Sequence, residues 1–446
     1  MRALFVGLLG ALLLLSVVAW YFQPPTTVAG KTILIRVSDN NPLRQAQVDL
    51  FNKLNPTLQM ELDPSDNGVD KVIVQSMGGV GPDLFDSFSP LQLSAYVQSD
   101  IAMDMTHELK KRGIDITKDC FKGMMSTCIY QGRVYGVPTN IAADGIWFHR
   151  DLLRAAGIPD HKGPWTWAEF IPIAQKLTKR DANGKPLCYG FYFDWWNFPH
   201  FLKGFGAHIY SPDGTKCVLD SPESIAAVQL MHDLVYKYKV SSSPVEEASM
   251  STAGGFGSGS VSVFAEKHAA TALGGRWWLA QLRDYKGLET GVMESPYGTV
   301  RDFHAYGRCT LVNKEGHNIQ DAIKGLLYMA GPEYNNLVND QADGICAFIK
   351  YTKSKQFLFN PKYPKETDNA IWLDIAAHSS GDETSPFISG QVVNDMITEQ
   401  LDLVKADQKS PLDAMHDVAA EVNQQIQKNL QEDPALMDKY KAATRP

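Results

Sequence analysis

Thr32-Ile33-Leu34-Ile35-Arg36-Val37, met near the start of the chain, decides the fold together with the alternating pattern that continues from it to Ser87. The run is short and mostly apolar, as expected for a strand buried in a parallel sheet. Asn41-Pro42 then opens a helix, with Asn as cap and Pro in the first turn. Leu43, Ala46, Leu50, Phe51 and Leu54 fall on one face of it, the expected buried face. Leu58, Met60 and Leu62 alternate as a second strand. Val69, Val72, Ile73 and Met77 return to helical spacing until Gly78-Gly79-Val80-Gly81-Pro82 breaks it. Asp83-Leu84-Phe85-Asp86-Ser87 reads as a third strand. The order β-α-β-α-β predicts an open α/β sheet, in which ligands sit beyond the carboxyl ends of strands. Asp39-Asn40 and Ser87-Phe88 occupy those ends.

Further along, Gln131-Gly132-Arg133 turns a hairpin, a strand is expected near 143–148, and a helix comes next from Asp151. Thr166 and Glu169 stand three apart, the spacing of a capping box. A helix is expected over 225–236 and a Gly/Ser-rich loop over 251–262. In the tail, Val418, Val422, Ile426 and Leu430 mark an amphipathic helix. No internal repeat or low-complexity linker interrupts the pattern.

The chain has 446 residues and a net charge of −8, from 42 Lys+Arg against 50 Asp+Glu. Such a length fits two or three domain-sized units. The acidic balance argues against a nucleic-acid-binding body, which needs a basic face. Nine Trp, 17 Tyr and 20 Phe suit apolar cores and sugar-stacking surfaces alike. Residues 3–22 carry no charge and come after Met1-Arg2, with Val17 and Ala19 at the −3 and −1 positions of a cleavage site. Two readings stand: a cleaved secretory signal, or a retained membrane anchor ending at Trp20-Tyr21-Phe22. Either places the body outside the cytoplasm.

Six cysteines, Cys120, Cys128, Cys188, Cys217, Cys309 and Cys346, make an even set suited to an oxidising compartment. Neighbours along the chain suggest pairs 120–128, 188–217 and 309–346; reduced core thiols are the other reading. None forms a Cys-x-x-Cys pair or a Cys/His cluster, so no metal and no cofactor are expected.

Several blocks occur in a telling order: Gly81-Pro82-Asp83-Leu84, Gln131-Gly132-Arg133-Val134-Tyr135-Gly136-Val137-Pro138, and Trp147-Phe148-His149-Arg150-Asp151-Leu152-Leu153 with Ala156-Gly157-Ile158-Pro159 after it. Trp165-Thr166-Trp167-Ala168-Glu169-Phe170, Phe264-Ala265-Glu266-Lys267-His268-Ala269-Ala270 and Gly274-Gly275-Arg276-Trp277 complete the series. Together they resemble the family 1 extracellular solute-binding proteins, the sugar-binding subunits of ABC importers. The resemblance runs from residue 32 to the C-terminus and is most specific over 131–170. It implies an α/β, two-lobed periplasmic-binding-protein-like fold of class II, with three chain crossings near 141–146, 302–307 and 357–367. One lobe is then expected over 31–142 and 305–357, the other over 145–302 and 367–440. Each suggested cysteine pair falls within one lobe, which leaves the hinge free.

A sugar offers apolar ring faces and a rim of hydroxyls, so its receptor needs aromatic planes and short polar side chains. Asn140 and Asp144 flank the first expected crossing, where each can hold a pair of hydroxyls, although a plain turn acid is an equal reading of Asp144. Trp277 matches the family's stacking Trp, and Trp278 beside it is expected in the core. Trp195 or Trp196 is expected to offer a second aromatic, with Trp195 favoured. Arg276 can fork a ligand carboxylate or phosphate, or make a surface salt bridge. Asn40 and Ser87 are further ligand candidates at strand ends. His149, Trp147-Phe148 and 264–268 depart from the family pattern and put the identity of the sugar in doubt.

The resemblance implies a non-catalytic receptor, a monomer, for a mono- or oligosaccharide, closing on its ligand and docking on an ABC transporter permease in the periplasm or its equivalent. Two alternatives stand beside it. One is a secreted carbohydrate hydrolase using a carboxylate pair drawn from Glu169, Asp194 and Glu294. The other is a membrane-tethered receptor for a non-sugar polyol or acidic solute. Gly-x-Ser-x-Gly, His-Glu-x-x-His, P-loop and Gly-x-Gly-x-x-Gly sequences are absent.

Overall fold

A computed structural model describes residue 10 and residues 27–28, 30–64, 68–250 and 259–445. The expected leader or anchor over 3–22, apart from Gly10, lies outside the described residues, as do 251–258 of the expected loop. Among the described residues no helix is long and apolar enough to cross a membrane.

The opening stretch folds as its pattern demands. Strand β1 (Lys31–Val37), helix α1 (Leu43–Leu54), strand β2 (Leu58–Asp63), helix α2 (Gly68–Met77) and strand β3 (Leu84–Ser87) come in that order. Asn41 accepts the Leu43 N–H at 3.0 Å and so starts α1. β1 lies between β2 and β3, parallel to both, pairing Thr32 with Leu58 and Arg36 with Leu84. The buried face of α1 differs from expectation: Arg44, Gln47, Val48 and Phe51 point inward, whereas Ala46 and Leu54 are exposed. Arg44 and Gln47 are drawn in by Asp343, which both of them bind. A buried carboxylate needs such donors more than the core needs another apolar contact.

Strand β4 (Gly136–Ala143) runs almost directly into β5 (Gly145–His149). The capping box predicted at Thr166 and Glu169 is formed and starts helix α3 (Trp167–Leu177). Strands β6 (Thr271–Gly274) and β7 (Thr290–Met293) flank β5 in a three-stranded antiparallel sheet. The long β8 (Phe303–Val312) returns to the first sheet, antiparallel to β3 and β4. Helix α4 (Ile319–Met329), helix α5 (Pro332–Gln341), helix α6 (Asn369–Ala377) and the short strand β9 (Ser379–Ser380) come next, with β9 parallel to β8. Helices α7 (Gly390–Lys405) and α8 (Pro411–Glu432) close the chain's main body, and α8 buries Val418, Val422, Ile426 and Leu430 as its spacing requires.

Among the described residues three large apolar clusters and a small one around Met329, Tyr334 and Val338 make the core. One surrounds the first sheet and includes Leu34, Phe51, Leu84, Phe85 and Leu311. A second joins α3 to α8 through Phe170, Phe191, Phe201 and Val422. The third, with Trp147, Trp278, Phe303, Phe357 and Trp372, lies where the chain passes from one sheet to the other.

The expected disulfides 120–128, 188–217 and 309–346 are not formed, and all six cysteines are free and buried. Sequence neighbours are not spatial partners here. Cys128 lies against Cys309, and Cys120, Cys128 and Cys309 share the first core cluster. Cys346 instead donates to the Asn335 carbonyl and to Asn339. The expected loop over 251–262 also ends early, because Ser260–Ala265 is helical.

Candidate ligand-binding site

Asp144 is the single residue between β4 and β5, and its side chain is 0% exposed. The crossing is tight: a Cβ on Gly145 would lie 2.9 Å from Ile375 and 3.0 Å from the Met293 carbonyl, so any larger residue there must push its neighbours aside. One carboxylate oxygen of Asp144 accepts the Tyr306 hydroxyl at 2.7 Å, and the other accepts Asn197 Nδ2 at 3.0 Å. Burial pushes the Asp144 carboxyl up to about 6, against the pull of Tyr306, His304 and Asn197.

Tyr306, from β8 of the first sheet, meets Trp277, from the turn after β6 of the second. The Trp277 indole N–H donates to the Tyr306 hydroxyl at 3.0 Å. Tyr306 therefore accepts from Trp277 while donating to Asp144, which fixes its hydroxyl proton. Trp278 turns inward, 1% exposed, and stacks on Trp147.

A short turn, Trp195–Asn197, brings the remaining side chains. Asp194 and Asn197 cap it reciprocally, the Asp194 N–H donating to Asn197 Oδ1 at 3.0 Å. That cap aims Asn197 at Asp144 and leaves Trp196 51% exposed, edge-on to Tyr306 with ring centres 5.6 Å apart. Asp194 also accepts from Tyr192 at 3.0 Å and from Ser260. Burial raises its carboxyl. The result is an aromatic and acidic corner between two sheets, able to stack on an apolar ring face and to exchange hydrogen bonds with hydroxyls.

The expected site residues divide. Asp144 and Trp277 are joined through Tyr306. Trp195 is half-buried and leans on Phe193, whereas Trp196 is the exposed indole, so the preference for Trp195 is corrected. Arg276 is corrected as a ligand contact: it is 0% exposed and gives all its nitrogens to Asn369, Gly344 and Asn339. Asn140 is also spoken for, donating to the Asp343 carbonyl at 3.1 Å and accepting the Arg308 N–H at 3.0 Å. Ser87 is buried and donates to the Ser89 carbonyl. Asn40 stands exposed past the end of β1.

Tyr306 and Asn197 are the members of this corner that the sequence reading did not name, and Trp196 is the one it did not favour. The Asp194-Trp195-Trp196-Asn197 spacing carries a readable cap signal that leaves Trp196 outward. Nothing local marks Tyr306, because its partners are 29 and 162 residues away in sequence.

Of the candidate acids for a carboxylate pair, Glu169 is held in its capping box and Glu294 in a two-pronged bond to Arg301 at 2.6 Å on each oxygen. Asp194 is held by Tyr192 and Ser260.

The profile of the bacterial extracellular solute-binding proteins matches residues 38–335. A maltooligosaccharide ABC transporter solute-binding lipoprotein of Streptococcus pneumoniae is 22% identical over 289 residues, covering 63% of each chain. Other curated relatives are matched over as little as 23% of their own length. In three dimensions the chain is similar to an ABC substrate-binding protein of Listeria monocytogenes in complex with cycloalternan. That similarity has a TM-score of 0.74 at 20% identity, over 88% of this chain and 98% of the other. It is also similar to UgpB of Mycobacterium tuberculosis in complex with glycerophosphocholine, with a TM-score of 0.72 at 15% identity over 90% and 99% of the two chains. These neighbours share the two-lobed α/β architecture.

Proposed function

The chain belongs to the bacterial extracellular solute-binding proteins, and from that premise we propose that it is an extracytoplasmic receptor for a mono- or oligosaccharide. The ligand lies between the lobes and is delivered to an ABC importer permease. The observation that carries this reading is the Trp277–Tyr306–Asp144 chain, with Trp196 exposed beside it. It places aromatic planes and hydroxyl partners together where two sheets meet, which is what a sugar asks of its receptor. Trp277, Trp196 and Tyr306 are the proposed ligand residues, with Asp144 orienting the Tyr306 hydroxyl from behind and Asn40 contributing from the rim of the first sheet. The proposed lobes are 31–142 with 305–357, and 145–302 with 367–440.

Closure arises from differential contact: only the closed form touches ligand from both sides, so ligand shifts the population toward it. Thermal-shift measurement against maltotriose, arabinooligosaccharides and simple polyols tests the reading. A bound sugar raises the melting temperature by mass action. A panel without any shift, repeated by calorimetry with the same outcome, would refute it. Release of cleaved product from those glycans would favour the hydrolase instead.

A further inference from the structure

Arg276 and Arg283 stand on one short stretch after β6, and both reach across to the same strip of chain. Arg276 donates through Nη1 to the Gly344 carbonyl at 2.7 Å and through Nη2 to the Asn339 carbonyl at 3.5 Å. Its Nε binds Asn369, the first residue of α6, at 2.9 Å. Arg283 donates through Nη1 to the Asp340 carbonyl at 2.8 Å. Its other nitrogens grip both oxygens of Glu366, at 2.7 and 3.0 Å, and its plane lies 3.6 Å over the Tyr363 ring centre.

Asn339 and Asp340 are in the last turn of α5, whose chain leaves through a left-handed Ala342. The Asn339 carbonyl takes only a long bond from the Ala342 N–H, at 3.4 Å, and the carbonyls of this last turn sit at the negative end of the helix dipole, where cations are favoured. This end of α5 belongs with the first sheet, since Ile345 pairs with Ile141 of β4. The stretch 360–366 is held from that side too, because Asp340 binds Asn360 at 3.1 Å and Lys362 at 2.8 Å. Burying a guanidinium carries a desolvation cost, which the three hydrogen bonds of Arg276 offset only while these partners stay in place. Arg276 directly precedes Trp277, and both belong to the same short turn.

We propose that Arg276 and Arg283 form a strap across the hinge, which caps α5 from the second lobe, clamps the third crossing to both lobes, and positions Trp277 against Tyr306. The positioning part rests on the receptor reading; the mechanical part does not need any ligand. With the strap in place the lobes rest at a defined angle. Without it the second lobe holds the third crossing only at its end, where Arg150 and Val292 bind Asp368, and the lobes swing further.

The test uses nitroxide labels on Leu54→Cys in α1 and Leu412→Cys in α8, both exposed positions on opposite lobes, while the native thiols are buried. Pulsed electron resonance then reads the interlobe distance in the ligand-free protein. Arg283→Gln and Glu366→Gln are expected to broaden the distribution and move it to longer distances, with Arg283→Lys falling between them and the parent. Arg276→Met serves as a third variant if it folds; the first two do not depend on it. A correctly folded Arg283→Gln protein with the parent distribution would overturn the strap. Maltotriose titration of the same variants is expected to show affinity weakened about 5- to 30-fold, the effect of about 1–2 kcal/mol. Unchanged affinity alongside a broadened distribution would overturn the positioning of Trp277 and keep the strap. If the parent binds no sugar, the receptor reading fails and the distance measurement still judges the strap.

Discussion

Trp277 donates its indole N–H to the hydroxyl of Tyr306 at 3.0 Å, joining the turn after one sheet to the central strand of the other. The bond holds the indole plane steady without using either of its faces. A plane so held suits stacking, because little rotamer freedom remains to be lost on binding.

Trp277→Ala is therefore expected to weaken sugar binding by about 0.5–1.5 kcal/mol, roughly 2- to 12-fold. Trp196→Ala should weaken it in the same range, whereas Trp195→Ala should leave affinity near parent. Isothermal titration with the best sugar of the panel measures all three. Equal losses at Trp195 and Trp196 would contradict the outward assignment of Trp196.

Asp144 gives a pH dependence with a definite sign. Its carboxyl is raised from 3.8 to about 6 by burial, so the folded protein holds a proton that the unfolded chain releases. The stabilising effect of that proton is complete below about pH 4 and is lost as pH rises to about 6. The difference corresponds to about 3 kcal/mol for a fully buried group. Urea unfolding of parent and Asp144→Asn between pH 4 and 7.5 should show this loss in the parent and not in the variant. Parallel pH profiles for the two proteins would remove Asp144 as its source.

A buried ionic network lies against the first sheet. Arg36 is paired with Asp86, and Arg44 lies between Asp39 and Asp343, with Arg308 close to all three carboxylates. Removing one partner strands a buried charge, so Arg44→Met is expected to cost about 3–5 kcal/mol. Lys53→Met, exposed on the same helix, should cost little. Chemical denaturation compares them, and similar midpoints would show that the network carries no such burden.

The thiols should be silent in the native state. All six are buried, and burial pushes Cys188 and Cys217 up to about 11. A disulfide reagent of the aromatic type should titrate six thiols in guanidinium and essentially none in buffer at pH 8. Rapid native reaction would show that this part of the core opens.

Where the sequence speaks through local spacing, it speaks reliably. The alternation at Leu58 and Met60, the capping box at Thr166 and Glu169, and the stripe from Val418 to Leu430 each arise from periodicity within a few residues. The family resemblance added the two-lobed architecture and singled out Asp144 and Trp277, which the fold joins through Tyr306. Failures came where a side chain's partner lay far along the chain. Arg276 reads as an anion fork until Asn339, Gly344 and Asn369 close around it. Asn140 reads as a sugar ligand until Arg308 and Asp343 occupy it.

Sequence by itself therefore determined the elements, their order and the family, because hydrophobic period and turn chemistry act over one or two turns of chain. Tertiary structure alone decided which polar groups stay free for a ligand. A buried donor or acceptor must find a partner wherever one lies. Tyr306 takes Trp277 and Asp144 from 29 and 162 residues away, and no local pattern records such a choice.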